Sequence, residues 1–414
     1  MRGALTIRGR LLQGACLLLA LPALAMPAAL RSAEAPPPAG PAPDMDRATR
    51  TRVLVVQAQA GSRTAAEELL RLGLLEELAL IDPQQPAVTA WSVPQAGDDP
   101  SGQQLYGVVL ETWANANPTR LRSWAQATAL RARTFLAAHY TEDPMVLLVS
   151  ALSFSSHEPT DRERARELFL QALLMQPDAA QDALERLAVT RLAAQVAVAC
   201  GYPEQEALLA QLMAQTATAH DPFWQARAGW VQAQAERASL DPGGMTAALA
   251  TQAQAAACAE QAHDLLGQGH SLMAQAACAC AAEHSAAAQD RAAALDAQAA
   301  ALFSQAQLPE QGALALREAA LCLRPDRSGA GGSWPRATEL SVAAAAQFAA
   351  AGDLPNQADA LSDAARCAAQ NDPTRSTMAS RQLLREAEHA YRQLHDDGKS
   401  DALLEWFHPS LDAN

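Results

Sequence analysis

The residues best suited to bind a metal ion lie in one short stretch. Within 22 residues the chain has His263, His270, Cys278, Cys280 and His284. Thiolate and imidazole groups bind zinc, and residues four apart share a helix face, so Cys280 and His284 could both reach one ion. Cys278 points about 200° away from Cys280 on a helix and cannot join them. Because the cysteines could instead be small core residues and the histidines solvated, only Cys280 and His284 are kept as candidate metal ligands.

A disulfide is the second chemistry that the cysteines allow. Six cysteines follow residue 25, and an exported chain meets an oxidising environment in which disulfides persist. An antiparallel hairpin that turns at 267–269 would place Cys258 opposite Cys278, since each lies about ten residues from that glycine-rich break. We therefore predict a Cys258–Cys278 disulfide, and the alternative is that both pack as small apolar side chains.

Sequence signals of several enzyme classes are missing. No Gly-x-Ser-x-Gly, His-Glu-x-x-His or Cys-x-x-Cys motif occurs, and these motifs mark common hydrolase, metalloprotease and redox sites. Lys399 is the only lysine, which excludes a P-loop and any Schiff-base mechanism elsewhere in the chain. The acidic pairs Glu67-Glu68 and Glu76-Glu77 lie in an amphipathic segment, 64–80, and are expected on its solvated face. We predict no catalytic residue, no cofactor and no enzymatic activity.

Tryptophans are the candidate anchors for a partner, because aromatic residues make up only 4% of the chain. Trp224 and Trp230 fall on one predicted helix, and a separation of six residues is about 240° around its axis. One could therefore face the core while the other lines a groove, where tryptophan is an effective anchor for a bound protein. The alternative places both in the core.

The elements that hold these side chains are predicted to be helices nearly throughout. Alanine and glutamine dominate and β-branched residues are sparse, a composition that favours helix. The net charge is −14, and an acidic surface repels the phosphates of nucleic acids and of anionic membranes. We therefore expect no nucleic-acid partner.

Residues 1–25 have the pattern of a secretory signal peptide. Three arginines precede an apolar run that ends at Ala25 in a small-x-small sequence, and the run is short for a membrane span. We expect cleavage after Ala25, a periplasmic or secreted product, and no stable membrane span after signal removal. The alternative is an uncleaved anchor.

The strongest pattern is a predicted helical hairpin whose sequence occurs twice, in 291–326 and 336–372. Phe303 aligns with Phe348 at an offset of 45 residues, and each copy breaks at Leu-Pro before its second helix. Such self-similarity marks stacked units that cannot bury their apolar faces alone. The sequence predicts an all-α fold: an α-solenoid of antiparallel helix pairs with an irregular period.

One segment resembles the second helix of a tetratricopeptide repeat. Ala165, Phe169, Ala172 and Pro177 have the spacing of that family, which puts small and aromatic residues on the face where a partner helix approaches. Two later segments match in part, and the 45-residue offset exceeds the family's roughly 34 residues. The chain thus resembles a divergent tetratricopeptide-like protein, and this resemblance implies a scaffold that binds peptides or partner helices.

These patterns divide the chain into a signal peptide (1–25), a Pro/Ala-rich linker (26–50), an N-terminal helical segment with a long loop (51–102), a helical repeat region (103–326), a flexible loop (327–335) and C-terminal repeats with a cap (336–414). We hypothesise an exported scaffold for protein–protein interactions in the bacterial cell envelope, with a protein or peptide partner. The alternatives are an envelope enzyme of hydrolase or lyase type with an unrecognised site, and a purely structural helical domain. The sequence leaves open the oligomeric state and whether 51–60 is strand or helix.

Overall fold

The computed structural model describes residues 46–93, 101–116, 130–136, 143–154, 159–175, 183–239, 243–282, 285–325, 332–371 and 377–411. The predicted signal peptide, most of the predicted linker and most of the predicted loop at 327–335 lie outside these residues. Every regular element in the described ranges is a helix. The all-α prediction is therefore confirmed for this part of the chain.

The N-terminal helices are short and closely spaced. They are α1 (Arg47–Gln59), α2 (Arg63–Arg71), α3 (Leu75–Leu78), α4 (Pro86–Thr89), a 3-10 turn (Ala90–Ser92) and α5 (Ser101–Ala116). Residues 51–60 are thus mostly helical, and α1 begins inside the predicted linker. The helix expected over 64–80 is two helices, because Gly73 adopts a φ of 65° that ends α2 in a left-handed turn.

The rest of the described chain is a succession of longer helices. They are α6 (Pro144–Phe154), α7 (Pro159–Leu174), α8 (Ala183–Cys200), α9 (Gln205–Ala219), α10 (Pro222–Ala238), α11 (Gly244–Gln261), α12 (Leu265–Ala282), α13 (Ala286–Gln305), α14 (Pro309–Cys322), α15 (Trp334–Ala351), α16 (Leu354–Gln370), α17 (Met378–Gln393) and α18 (Asp397–Leu411). From α8 onward each helix packs on the next. The predicted antiparallel stack is therefore confirmed, and the duplicated segments lie against one another through α14 and α15.

A left-handed residue recurs in the turns of five described hairpins, from α9–α10 to α17–α18. These residues are His220, His263, Gln307, Gly352 and His395, with φ between 49° and 75°. Successive members are 43, 44, 45 and 43 residues apart. In the last four turns the following amide donates to a carbonyl five residues earlier, which closes the helix in a Schellman arrangement. The predicted duplication is thus the middle of a longer series.

The residue four positions before each left-handed turn residue is buried. These residues are Thr216, Ala259, Phe303, Phe348 and Tyr391, and all are at most 4% exposed. Phe303 needs space on the preceding hairpin, and Gly269 of α12 provides it. A Cβ atom on Gly269 would lie 2.8 Å from the Phe303 ring. Glycine at this position therefore sets how closely two hairpins approach.

We expect Gly269→Ala to lower the free energy of unfolding by about 1–3 kcal/mol, because the methyl group overpacks against a buried ring. The matched control is Gly398→Ala in α18, where the nearest atom to an added Cβ is 3.9 Å away. That change should be neutral or stabilise the helix by up to about 1 kcal/mol. Urea denaturation followed by circular dichroism measures both. Equal changes in the free energy of unfolding for the two variants would show that the Phe303 ring can shift to accommodate the added methyl group.

In the residues described, none of the helices combines the length and the apolar composition that crossing a bilayer requires.

Candidate functional site

A buried group of charges joins the N-terminal helices to the hairpin stack. Arg227 of α10 is fully buried and lies between two carboxylates, Glu77 of α3 and Asp264 in the α11–α12 turn. Its guanidinium donates to both side chains and also lies 3.6 Å from the centre of the Phe223 ring. Since Glu77 is 150 residues away in the chain, this group fixes α3 against the repeats.

A second arginine holds the neighbouring turn. Arg191 of α8 donates to both carboxylate oxygens of Glu76, at 2.6 and 2.7 Å, and to the carbonyl of Gly73. Burial disfavours the ionised form of Glu76, but the charge and hydrogen bonds of Arg191 outweigh it, so the pKa of Glu76 is lowered. The α2–α3 turn is therefore bound by two arginines from the repeat region.

The prediction that Glu76 and Glu77 lie on a solvated helix face is wrong for Glu77, which is fully buried, and Glu76 is an ion-pair partner. α2 ends at Arg71, and the left-handed turn at Gly73 redirects the chain so that the acidic pair on α3 faces the repeats. The sequence did contain a signal on the other side of the contact. Arg191 and Arg227 each lie in a mainly apolar stretch of helix, 187–194 and 226–231, and a buried arginine requires a carboxylate partner.

Trp224 and Trp230 lie in the core, at 1% and 5% exposure. Trp224 packs edge-on against Phe223, and the Trp230 indole nitrogen donates to Ser271 of α12. Neither indole lines an open groove, so the structure favours the core alternative for both. Trp230 also lies 5.3 Å from the Arg227 guanidinium, whereas Trp224 lies 6.0 Å from that of Arg47.

An open cleft of about 310 Å³ lies beside this charged group, and we refer to it as the repeat cleft. It is bounded by α3 and by three successive second helices of hairpins, α12, α14 and α16. Its apolar lining includes Leu80, Met273 and Leu314, and its polar lining includes Glu76, His270, Gln311, Arg317, Glu318 and Asn356. A cavity of about 290 Å³ adjoins it, because Leu80 and Asn356 line both. Residues of the N-terminal segment therefore form one wall of a binding-sized space.

His270 is the titratable group at the inner side of the repeat cleft. Its ring lies edge-on between Trp230 and Phe303, at 5.9 and 5.2 Å between ring centres. Burial lowers the pKa of His270 below its usual value, because the charged imidazolium is poorly solvated there. Its Nε2 atom is buried and has no hydrogen-bond partner in the described residues. His270 is therefore a neutral ring that can donate or accept one further hydrogen bond.

The predicted Cys258–Cys278 pair is not brought together. The turn lies at 262–264, five residues before the glycine break used for the prediction, and α12 runs through that break. Cys278 consequently packs beside Ala248 and Ala233, whereas the Cys258 thiol faces Gln225. Cys258 lies five residues before the turn residue His263, and Cys278 lies fifteen residues after it. This difference of ten residues is about 15 Å along the helix axis. Both thiols are free in the structure.

Of the two candidate metal ligands, the structure describes only Cys280. His284 lies outside the described residues, and the thiol of Cys280 contacts Cys322 of α14. Within the described ranges, no group of three or more histidine, cysteine or acidic side chains has an arrangement suited to a metal ion. The pair Cys280 and His284 therefore stays a prediction without support from geometry.

Comparison with known proteins adds a structural likeness. No family model matches the chain, and no curated protein matches it. Among solved structures, it is similar to a signal transduction ATPase with numerous domains, a protein with a tetratricopeptide repeat sensor from Pyrococcus horikoshii. The two share 11% identity over 88% of this chain and 68% of that one, with a TM-score of 0.43. The fold is therefore assigned from the helices described above and not from this likeness.

Proposed function

We propose that this chain is an exported helical-repeat scaffold that binds a protein or peptide partner in the bacterial cell envelope. The repeat cleft is the observation that carries the proposal. Three successive hairpins contribute one helix each to its walls, which is how stacked repeats present a continuous surface to a partner. Its lining combines apolar and polar side chains, which can hold an apolar group and fix its orientation by hydrogen bonds.

The lining indicates what kind of segment would fit. Met273 and Leu314 are half-buried and accept an apolar side chain, and methionine adapts its shape to different partners. Around them, Gln311 and His270 offer hydrogen bonds to a peptide backbone or side chain. The charges of Arg317 and Glu76 are already paired with Asp363 and Arg191. We therefore propose an apolar residue flanked by polar groups as the bound element.

The location in the envelope rests on the sequence of residues 1–25. Their arginines, apolar run and small-x-small ending are typical of a cleaved export signal. The product would begin at Met26, followed by the Pro/Ala-rich stretch. Protein recovered from the native periplasm should have this N-terminus, and this preparation also provides the bait for the binding test.

We expect Gln311→Trp to reduce partner capture at least about tenfold, because an indole at that position fills the repeat cleft. A tenfold loss corresponds to ~1.4 kcal/mol of binding free energy. The experiment immobilises residues 26–414, captures proteins from native envelope extract, and compares the amounts by quantitative mass spectrometry. Thermal unfolding of each bait is measured first, so that loss of fold is distinguished from loss of binding.

Met213→Trp is the matched control, since Met213 is exposed on α9 and does not line the cleft. This variant should capture the same partner as the unmodified chain. If both tryptophan variants retain the partner equally, the cleft is not the binding surface. If no protein is enriched over an unrelated bait, the scaffold proposal fails.

A further inference from the structure

Three of the cysteines occupy the same place in consecutive hairpins. Counting fifteen residues beyond the left-handed turn residue gives Ala235, Cys278, Cys322 and Cys367. Ala235, Cys278 and Cys367 are buried, and Cys322 is half-buried. The recurrence of small side chains here shows that this position requires a small residue at a helix–helix contact. Cys278, Cys322 and Cys367 are therefore explained by packing.

Cys280 does not belong to that series. It lies seventeen residues beyond its turn residue, where other hairpins have Arg237, Arg324 and Ala369. This position reaches toward the small residue of the next hairpin. Arg324 interacts with the thiol of Cys367, and the charge of Arg237 acts on Cys278. Position seventeen of one hairpin thus lies near position fifteen of the next in this part of the stack.

At one place in the described stack both of these positions are cysteine. Cys280 of α12 meets Cys322 of α14 with their sulfur atoms 2.7 Å apart. Both residues are half-buried, and the surrounding apolar side chains include Ala276, Ala279 and Ala292. A bonded pair has its sulfur atoms about 2.05 Å apart, so only a small approach separates the contact from a covalent link.

We propose that Cys280 and Cys322 form a disulfide that links α12 to α14. In thiol–disulfide exchange, the Cys280 thiolate attacks one sulfur of an oxidised dithiol or of glutathione disulfide and releases one thiolate. The Cys322 thiolate then attacks the Cys280 sulfur of the mixed disulfide and releases the second. Two protons leave the cysteines, and the two electrons reduce the incoming disulfide to two thiols. The hydrogen bond between the two thiols lowers the pKa of Cys280, which suits Cys280 to the first attack.

The link would act on the repeat cleft. α12 carries His270 and Met273, and α14 carries Gln311 and Leu314, so the bond would tie two of its walls together. It would also close a loop of 42 residues and reduce the freedom of the unfolded chain. The bond follows from the contact geometry alone and does not depend on the proposed partner or location.

The test equilibrates the purified chain in excess oxidised glutathione, quenches it with acid, alkylates free thiols and maps peptides without reduction. After digestion with trypsin, we expect a linked peptide joining the segment that contains Cys280 to EAALCLRPDR, which contains Cys322. Reduction should lower the melting temperature by roughly 5 °C for a loop of this length in a chain of this size. Recovery of Cys280 and Cys322 as separately alkylated or glutathionylated residues would overturn the proposal.

Two alanine variants keep the outcome specific. Cys280→Ala should abolish the linked peptide and the effect of reduction on melting, and it should fold because Ala369 occupies the equivalent position. Cys278→Ala should leave both intact, because Ala235 occupies the position equivalent to Cys278. A link that persists in Cys280→Ala, or disappears in Cys278→Ala, would assign the bond to another pair and contradict the proposal.

Discussion

Arg227→Ala should lower the free energy of unfolding by about 3–5 kcal/mol. The substitution leaves Glu77 and Asp264 as buried carboxylates without a counter-charge, and the loss of one partner from a buried ion pair has a cost of this size. It also removes the cation from its contacts with Phe223 and Trp230. Urea denaturation of the full chain, followed by circular dichroism, measures the change.

The matched control is a solvent-exposed pair of the same type. Arg164 and Glu167 lie one turn apart on α7 with side chains 57% and 69% exposed, so Arg164→Ala should change stability by less than about 0.5 kcal/mol. Glu77→Gln is a milder probe that retains the shape of the side chain and removes one charge. Stability equal to that of the unmodified chain in both Arg227→Ala and Glu77→Gln would contradict the buried-charge interpretation.

Proteolysis distinguishes release of the N-terminal helices from unfolding of the stack. Arg50, Arg52, Arg63 and Arg71 all precede the acidic pair and are potential trypsin sites on α1 and α2. If the charges mainly hold these helices in place, Glu77→Gln should speed cleavage at these arginines under native conditions while the repeats stay intact. Simultaneous cleavage throughout the chain would instead indicate that the whole unit loses stability together.

The hairpin stack could be predicted because its signals are local. Phe303 and Phe348 repeat at a constant offset, and Pro309 and Pro355 start second helices, where proline loses no hydrogen bond. The remaining hairpins were harder to recognise. Their turns use His220, His263 and His395 in the left-handed conformation, where glycine or asparagine is the usual indicator. The same rule explains why the turn at 262–264 was misplaced onto nearby glycines.

The site was less predictable because its contacts are distant in sequence. Nothing within α3 indicates that Glu77 meets an arginine 150 residues later. Amphipathicity assigned the acidic pair to solvent, since it assumes that one helix continues past Gly73. The tryptophans show the same limit, because helical angle alone cannot tell which faces of α10 are covered when α3, α8, α11 and α12 all surround it.

The N-terminal helices contribute to the proposed binding surface. Glu76, Ala79 and Leu80 form part of the repeat cleft, and the arginine pairs hold them there. A partner would therefore contact the N-terminal segment as well as the repeats. The shape of the cleft depends on the same charges that stabilise the fold, so changes in Arg191 or Arg227 should alter binding through the position of this wall.

Asp296 of α13 is a buried acid in a row of buried polar residues. It lies eleven residues before its turn residue, and the equivalent positions in adjacent hairpins are Gln252 and Ser341. All three are at most 2% exposed. Burial, together with the charges of Glu318 and Cys280, raises the pKa of Asp296 to about 8. At neutral pH this carboxyl group is therefore mostly protonated in the folded chain and ionised in the unfolded one.

Asp296→Asn should stabilise the protein, and the gain should grow with pH. The folded pKa lies above the unfolded value of 3.8, so the stability associated with the protonated acid is complete below about pH 4 and is lost as pH rises through 8. The loss is about 1.4 kcal/mol per pH unit in that window, on the order of 4 kcal/mol by pH 7. Asparagine has nearly the same shape and does not titrate, so the variant avoids this loss of stability. Urea denaturation at pH 5 and pH 8 measures the difference.

Asp290→Asn on the same helix is the matched control. Asp290 is 60% exposed and pairs with Arg336 at the surface, so its substitution should change stability by less than about 0.5 kcal/mol at either pH. A gain for Asp296→Asn that is equal at pH 5 and pH 8 would rule out titration as its cause. A loss of stability at both values would mean that the carboxyl group makes a favourable contact in the stack, which would contradict a burial cost at this position.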